Sequence, residues 1–559
     1  MEKLTFGKIN LLYFLIALVL AISLSGIFTI NIQREIISGE PDSFIFISFF
    51  DIVKRNILTF SDPFAGTDFM RYPLGINFRL NTDGLFAILT GALLSIFLEH
   101  TVAFNLVIFL IFMTNIFLSL VFFNKIGKLY NIDDLAGGRP VLSAFLFALS
   151  PYFLARILGH LNLAFIGGFP VLIYSIAVFE RKLRNDIPFD YKDYARLFTG
   201  ILAIAFGSLQ YLIILAYIAV AIAAFFLLTT KNTFIKTFNK IIGQLTGTFG
   251  VFFIIFSGFM VLFLFMFGGF VFGLFTGDLI IFKNFTFDVR LIDFLVPNSF
   301  LSGWLTSFNN SPPHIEKVIF LGVPALLFWL YFLFFSGKKP VQFTLLGFTT
   351  AYILLSAALL QLPGYYEGVR FTIVLQLLIS LLVLLLPSFL NKNNVYLFVV
   401  LTVISTFFYV KIPYKTEIPV EMLSVIRQSP GEAILVLPVS IRHFERNMFI
   451  SYSGKKLLDG AINQSAAGPK ANSYLAENLR SITCGVDYRD LENPEQLYVE
   501  TMEKIRSLGI KTVVIERVSV ENLEEFSSCK YFVEFFYRHY AEQTTQIFKD
   551  ARYEVYVFK

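Results

Sequence analysis

The chain has 559 residues, 56% of them apolar and only 15% charged, with a mean hydropathy of +0.70. Soluble domains carry about a quarter of their residues as charges, so the composition excludes a soluble globular protein and points to a polytopic α-helical membrane protein. The net charge of +5 comes from scattered basic residues that flank apolar segments, which offers no footing for a nucleic-acid partner.

Apolar runs near the roughly 20 residues that cross a bilayer recur along the chain. In order, spans are expected at 9–31, 100–123, 140–156, 163–180, 197–211, 212–229, 246–275, 317–336, 342–360, 371–389 and 395–411, about eleven in all. The first run has no convincing small-x-small cleavage site and reads as a retained span rather than a leader. Run 84–98 is apolar but short, the length of a re-entrant or interfacial helix. The stretch FGSLQYL must turn around Gly207 to Tyr211 to separate two of the spans.

Loop charge sets the expected orientation. One alternating set of connections is short and basic: Lys3 and Lys8, then Lys125, Lys128 and Arg139, then Arg181 to Arg196, Lys231 to Lys240, Lys338 and Lys339, and Lys392. These belong in the cytosol. The other set, 32–83, 156–162, 276–316 and 361–370, is longer and holds most of the loop acids. It faces outward, which places the N-terminus in the cytoplasm and the C-terminal segment outside. Residues 1–411 then form the membrane domain, with a large first outer loop at 32–83. Residues 412–559 read as a small α/β domain: GEAILVLPV and KTVVIERV as buried strands, and NPEQLYVETMEKIRSLGI as an amphipathic helix stopped by Gly509. Cys484 and Cys529 have neither zinc-site nor redox-motif spacing; a disulfide outside the cytosol and two buried free thiols both fit.

The spans hold almost no ionisable residues, with Asn105, Asn115 and Gln376 the main polar intrusions. Ion-coupled transport needs charges within the membrane, so a secondary transporter is disfavoured and any chemistry belongs at the outer rim. There the first loop is richest. Glu40 and Asp42 directly follow the first span. From Ser43 to Leu58 apolar and polar residues alternate at helical spacing, with Asp51, Lys54 and Arg55 on the polar side, as in a helix lying in the interface plane. Asp42 has two readings: the N-cap of that helix, or a carboxylate at the water–lipid boundary that takes a proton from a hydroxyl. Asp68, farther along the loop, and Glu40 join the candidate substrate-binding residues.

The connection ALSPYFLARILGHLNLAFIGGFP holds Arg156, His160 and Asn162, either an interfacial turn with a snorkelling arginine or a hydrogen-bonding wall facing the first loop. Later outer segments hold Lys283, Arg290, His314 and Glu316, then Glu367 and Arg370 in PGYYEGVRF. Basic groups there grip a lipid phosphate or anchor a helix end.

The run PDSFIFISFFDIVKRNILTFSDPFAGTDFMRYPLGINFRLNTDG, then AFNLVIFL, SPYFLARILGHLNL, PPHIEKVIFLG and YYEGVRF, resembles the GT-C superfamily of membrane glycosyltransferases and its YfhO-like and uncharacterised bacterial relatives over roughly residues 1–390. The resemblance implies a GT-C-like fold and a polyprenyl-phosphate sugar donor. It implies transfer with inversion to a glycan, lipid or protein acceptor at the cell membrane, and a catalytic carboxylate shortly after the first span. Asp42 stands in that place. The first outer loop holds no Asp-Asp or Asp-x-Asp pair, so no metal ligand is assigned and a divalent metal ion stays an open cofactor. A non-catalytic flippase of lipid-linked sugars, or a scaffold for envelope assembly, is the alternative function.

Overall fold

A computed structural model describes residues 2–37, 42–81, 83–132, 138–229, 231–276, 322–328, 372–385, 392–409, 415–439, 444–458 and 478–559. Its first half is a helical assembly: α1 (Glu2–Ser25), α2 (Ser43–Leu58), α3 (Leu85–Phe97), α4 (His100–Leu129), α5 (Gly138–Ala148), α6 (Pro151–Ile157), α7 (Leu161–Ala164), α8 (Gly168–Arg184), α9 (Tyr191–Gly207), α10 (Leu209–Thr229), α11 (Lys231–Gly247) and α12 (Phe249–Thr276). Helices Thr372–Leu385 and Lys392–Tyr409 follow. Among the described residues three helical runs, His100–Leu129, Leu161–Arg184 and Phe249–Gly269, are long and apolar enough to cross a bilayer alone. The bent pair α5 and α6 makes a fourth if taken as one span.

The span expected at 140–156 is broken: α5 and α6 meet at 44°. Pro151 cannot continue a helix from behind, so it starts a new one, and the Ser150 side chain accepts a hydrogen bond from the Phe153 amide at 3.4 Å. The two asparagines inside α4 explain themselves in the same way. Asn105 Oδ1 accepts from the Ile37 amide at 2.9 Å, and its Nδ2 donates to the Glu35 carbonyl at 2.8 Å. Asn115 Oδ1 accepts from the Ile166 and Gly167 amides at 3.0 and 2.8 Å, and its Nδ2 donates to the Ala164 carbonyl at 2.8 Å. Each side-chain amide satisfies backbone groups of a neighbouring segment among apolar side chains, where an unmet group is costly.

The chain ends in a five-stranded sheet ordered β4 (Lys456–Leu457), β3 (Ala433–Leu437), β5 (Thr512–Glu516), β7 (Tyr553–Phe558) and β6 (Thr544–Lys549). β3 is parallel to β4 and β5, and β7 is antiparallel to β5 and β6. GEAILVLPV and KTVVIERV supply β3 and β5, buried throughout as strands covered on both faces are. The helix Pro494–Ser507 ends before Gly509, which adopts φ +75°. Cys484 and Cys529 are disulfide-bonded across a separation of 45 residues, which settles the choice between a bond and free thiols.

Two joints tie this domain to the membrane half. β1 (Glu35–Ile37) pairs antiparallel with β2 (Lys415–Glu417), reinforced by Lys415 Nζ on Glu35 at 2.7 Å. Farther along the first loop, the Phe69 carbonyl accepts from the Leu457 amide at 2.9 Å and the Tyr72 amide donates to the Leu457 carbonyl at 3.0 Å. These two backbone hydrogen bonds dock the loop on the outer edge of β4 and satisfy groups of Leu457 there.

This docking overturns one expectation. α2 does not lie in an interface plane with a wet face: every residue from Ser43 to Val53 is buried. Its polar side faces the helix Asn447–Ser453 of the C-terminal domain, a contact between distant segments that local periodicity does not register.

Candidate functional site

Asp42 occupies the N-cap position of α2, yet its side chain makes no capping hydrogen bond, and its backbone is already helical at φ −55°, ψ −24°. A capping residue ordinarily holds extended backbone and turns its oxygen onto the first amides. Here carboxylate Oδ2 lies 3.4 Å from Nδ1 of His160, with both side chains mostly buried but reachable. The first loop and the α6–α7 connection, read from sequence as facing each other, meet at this pair.

Beside it sits a carboxylate that the sequence reading passed over. Asp83, 6% exposed, accepts hydrogen bonds from four groups among the described residues. Asn162 Nδ2 and Gln210 Nε2 donate to Oδ2 at 2.8 and 3.1 Å, and the Ser208 hydroxyl and Leu209 amide donate to Oδ1 at 2.9 Å each. Asp83 thereby caps α10 from another part of the chain and fixes the turn required by FGSLQYL. The turn forms at Ser208, where Gly207 comes so close that a Cβ would lie 2.2 Å from the Phe165 carbonyl oxygen. The following residue, Gly84, adopts φ +83°, and a Cβ there would stand 2.6 Å from Asn162 Cα. Only glycine fits both demands. These contacts pin the His160–Asn162 connection beside Asp42. The signal in the sequence was an acid followed by glycine at the end of the polar loop.

Behind this layer Arg156 is fully buried, its guanidinium 4.9 Å from the centre of the Tyr152 ring. The Tyr152 hydroxyl lies 3.4 Å from that of Tyr211, and Tyr211 donates to the Leu163 carbonyl at 2.5 Å. Arg156 is thus an interior cation behind the loop, not a snorkelling surface residue. Asp68 is engaged elsewhere, with Lys456 Nζ at 2.7 Å in the joint to the C-terminal domain. Glu40, Lys283, Arg290, His314, Glu316, Glu367 and Arg370 lie outside the described residues.

Chemically, the cluster offers a carboxylate and an imidazole in contact, beside the Asn162 and Gln210 amides and the Ser208 hydroxyl that are bound to Asp83. That inventory suits recognition of a polyhydroxylated ligand and removal of a hydroxyl proton. Among the described residues no three His, Cys, Asp or Glu side chains gather to hold a metal ion. Among the described residues Asp42 and His160 bring two potential donors together.

No protein-family model matches the chain, and no curated protein matches it in sequence. Among solved structures it is similar to the oligosaccharyltransferase AglB of Archaeoglobus fulgidus in complex with an inhibitory peptide and a dolichol-phosphate. The TM-score is 0.49 at 13% identity, over 93% of this chain and 70% of that one. A complex of the Archaeoglobus fulgidus oligosaccharyltransferase with zinc and sulfate aligns at TM-score 0.40 and 13% identity, over 91% and 68% of the two chains. ArnT of Cupriavidus metallidurans, bound to undecaprenyl phosphate, aligns at TM-score 0.35 and 11% identity, over 99% and 97%.

Proposed function

We propose that this protein is a membrane glycosyltransferase of the GT-C type. It moves a sugar from a polyprenyl-phosphate carrier to a glycan, lipid or protein acceptor on the outer face of the cell membrane. The observation that carries the reading is the Asp42 carboxylate, which sits at a helix start, does not cap it, and meets His160 instead.

In the proposed reaction Asp42 accepts the proton of the acceptor hydroxyl. The freed oxygen attacks the anomeric carbon as the bond from that carbon to the carrier's phosphate oxygen breaks on the opposite face. The configuration inverts, and the bonding pair leaves with the polyprenyl phosphate. His160 holds the carboxylate in place and, with Asn162, positions a sugar. Arg370, then Arg290 and Lys283, are the residues proposed to steady the phosphate as its charge grows; Glu40, His314, Glu316 and Glu367 complete the proposed substrate-binding set. An outward C-terminal domain agrees with the Cys484–Cys529 bond, since such bonds persist in oxidising compartments.

The test is single-turnover transfer by purified protein supplied with polyprenyl-phosphate sugars and a panel of envelope acceptors, read as carrier phosphate released and glycosylated product formed. Asp42→Asn is expected to slow transfer about 10²–10⁴-fold, the usual worth of a general base. Carrier release at an unchanged rate in Asp42→Asn would remove Asp42 from that role.

A further inference from the structure

α10 starts at the Asp83 cluster and runs 21 residues, about 30 Å of helix, the thickness of a bilayer's apolar core. α11 therefore lies at the opposite face of the membrane from Asp42, between the end of α10 and the start of the bilayer-length α12. Its sequence, KNTFIKTFNKIIGQLTG, puts Phe234, Ile235, Phe238, Ile241, Ile242 and Leu245 on one stripe at helical spacing and Lys236 and Lys240 opposite. Part of the stripe is exposed, with Ile235, Phe238 and Ile242 at 40%, 52% and 42%, while Leu245 packs against the Phe189, Tyr194 and Phe198 cluster. Among the described residues, α11 touches α10 and α12 only sparsely, unlike α8 and α9, which pack closely along their length. A helix built this way has no reason to stand in water, and its two flanking helices deliver it to the level of the lipid head groups.

We propose that α11 is an in-plane lipid-binding helix, its apolar stripe sunk into the leaflet opposite the candidate site and its lysines set on anionic phospholipid phosphates. The neighbouring chain supports the choice of an anionic partner. Lys240 Nζ is drawn 2.6 Å from the exposed Asp186 of the α8–α9 loop, whose flanks carry Arg181, Arg184 and Lys192. α11 itself carries Lys231, Lys236 and Lys240 and no acid, and juxtamembrane lysines are attracted to anionic leaflets. The inference stands independently of the glycosyltransferase reading, because it uses no catalytic residue.

The test uses the full chain in nanodiscs containing phosphatidylglycerol and phosphatidylcholine. Both native cysteines are bonded, so single nitroxide labels can be placed at Phe238→Cys and at Gly243→Cys, where a side chain meets open space. The label at 238 is expected to meet dissolved oxygen and be shielded from an aqueous nickel chelate, and the label at 243 to show the reverse. Shielding of 238 from both probes would mean a protein covers the stripe, and nickel access at both positions would mean water does; either overturns the proposal. In the same discs a spin-labelled phosphatidylglycerol should be enriched over phosphatidylcholine at the protein. Lys236→Gln and Lys240→Gln are each expected to cut that enrichment about fivefold. An unchanged enrichment in the double variant would overturn the anionic-lipid assignment.

Discussion

α2 carries two aspartates that each meet a histidine, and the two pairs have been put to different uses. Asp42 lies 3.4 Å from His160 at the start of the helix, and Asp51 lies 3.4 Å from His100 nine residues along it. Asp51 is 3% exposed and already held by Arg55 Nε at 2.7 Å. His100 in turn faces the Tyr452 ring edge-on at 5.9 Å, and Tyr452 bonds Thr101 at 2.9 Å. The C-terminal domain closes over this second pair. The Asp51 charge is answered from within by Arg55, and that carboxylate is buried. The first pair lies where three loops converge among polar side chains. The same two residue types make a latch where a guanidinium and a lid complete them, and the proposed chemical site where the first loop meets the α6–α7 connection.

The comparison can be strained from the side of the lid. Replacing Cys484 with Ser opens a 45-residue loop and should cost about 4 kcal/mol of C-terminal domain stability. Limited proteolysis after mild heating should then cut the domain early, while the membrane half keeps its helical signal. Survival of the domain at wild-type temperatures would mean that its sheet alone holds the lid.

Asp51→Ala attacks the latch itself. It leaves buried His100 without its carboxylate, at a cost of about 1–3 kcal/mol. The Arg55 share is small, since that side chain is over a third exposed and screened. The lowered melting temperature should come with looser docking of the C-terminal domain, measured as faster hydrogen exchange at Phe69 to Tyr72. A melting temperature equal to wild type would make Asp51 a bystander.

Gly84→Ala tests the support of the other pair. Positive φ costs about 1–2 kcal/mol for alanine, and the new methyl group must displace Asn162. Transfer should fall through misplacement of His160, with substrate affinity and rate both affected, and Gly84→Asn should fare better than Gly84→Val because asparagine tolerates this backbone.

The smallest effect is in acid. Burial alone would raise the Glu516 carboxyl, but the Arg446 and Arg552 guanidiniums outweigh it and hold it below its ordinary value of 4.5. Stability from this group is present above that value and is lost as pH falls through the lower folded value. Acid melting of the lid domain should therefore steepen below pH 4.5, and Glu516→Gln should flatten that slope. A slope unchanged by Glu516→Gln would assign the acid response to other carboxylates.

Much of this was legible in the sequence. Asp42, His160 and Asn162 were picked out because polar groups beside apolar runs stand out, and β3 and β5 because short buried strands have a signature of their own. Asp83 escaped because its meaning depends on Ser208 and Gln210, far along the chain. The Asp51 latch escaped because a polar stripe on a helix looks the same whether water or a domain covers it. For the same reason α2 read as interfacial, and the pairing of Cys484 with Cys529 needed three dimensions. α11 read only as a basic connection, since its lysines speak to topology before its apolar stripe is noticed.

The central claim is that the two aspartates of α2 divide chemistry from structure, and one paired measurement tests it. Asp42→Asn and Asp51→Asn remove one charge each from the same helix without changing its shape. Transfer from a polyprenyl-phosphate sugar and the thermal midpoint would be measured on both. Asp42→Asn is expected to lose about 10²–10⁴-fold in transfer with its midpoint unmoved, and Asp51→Asn to lose stability while its folded fraction still turns over. Equal loss of transfer in both variants, or loss in Asp51→Asn alone, would contradict the account.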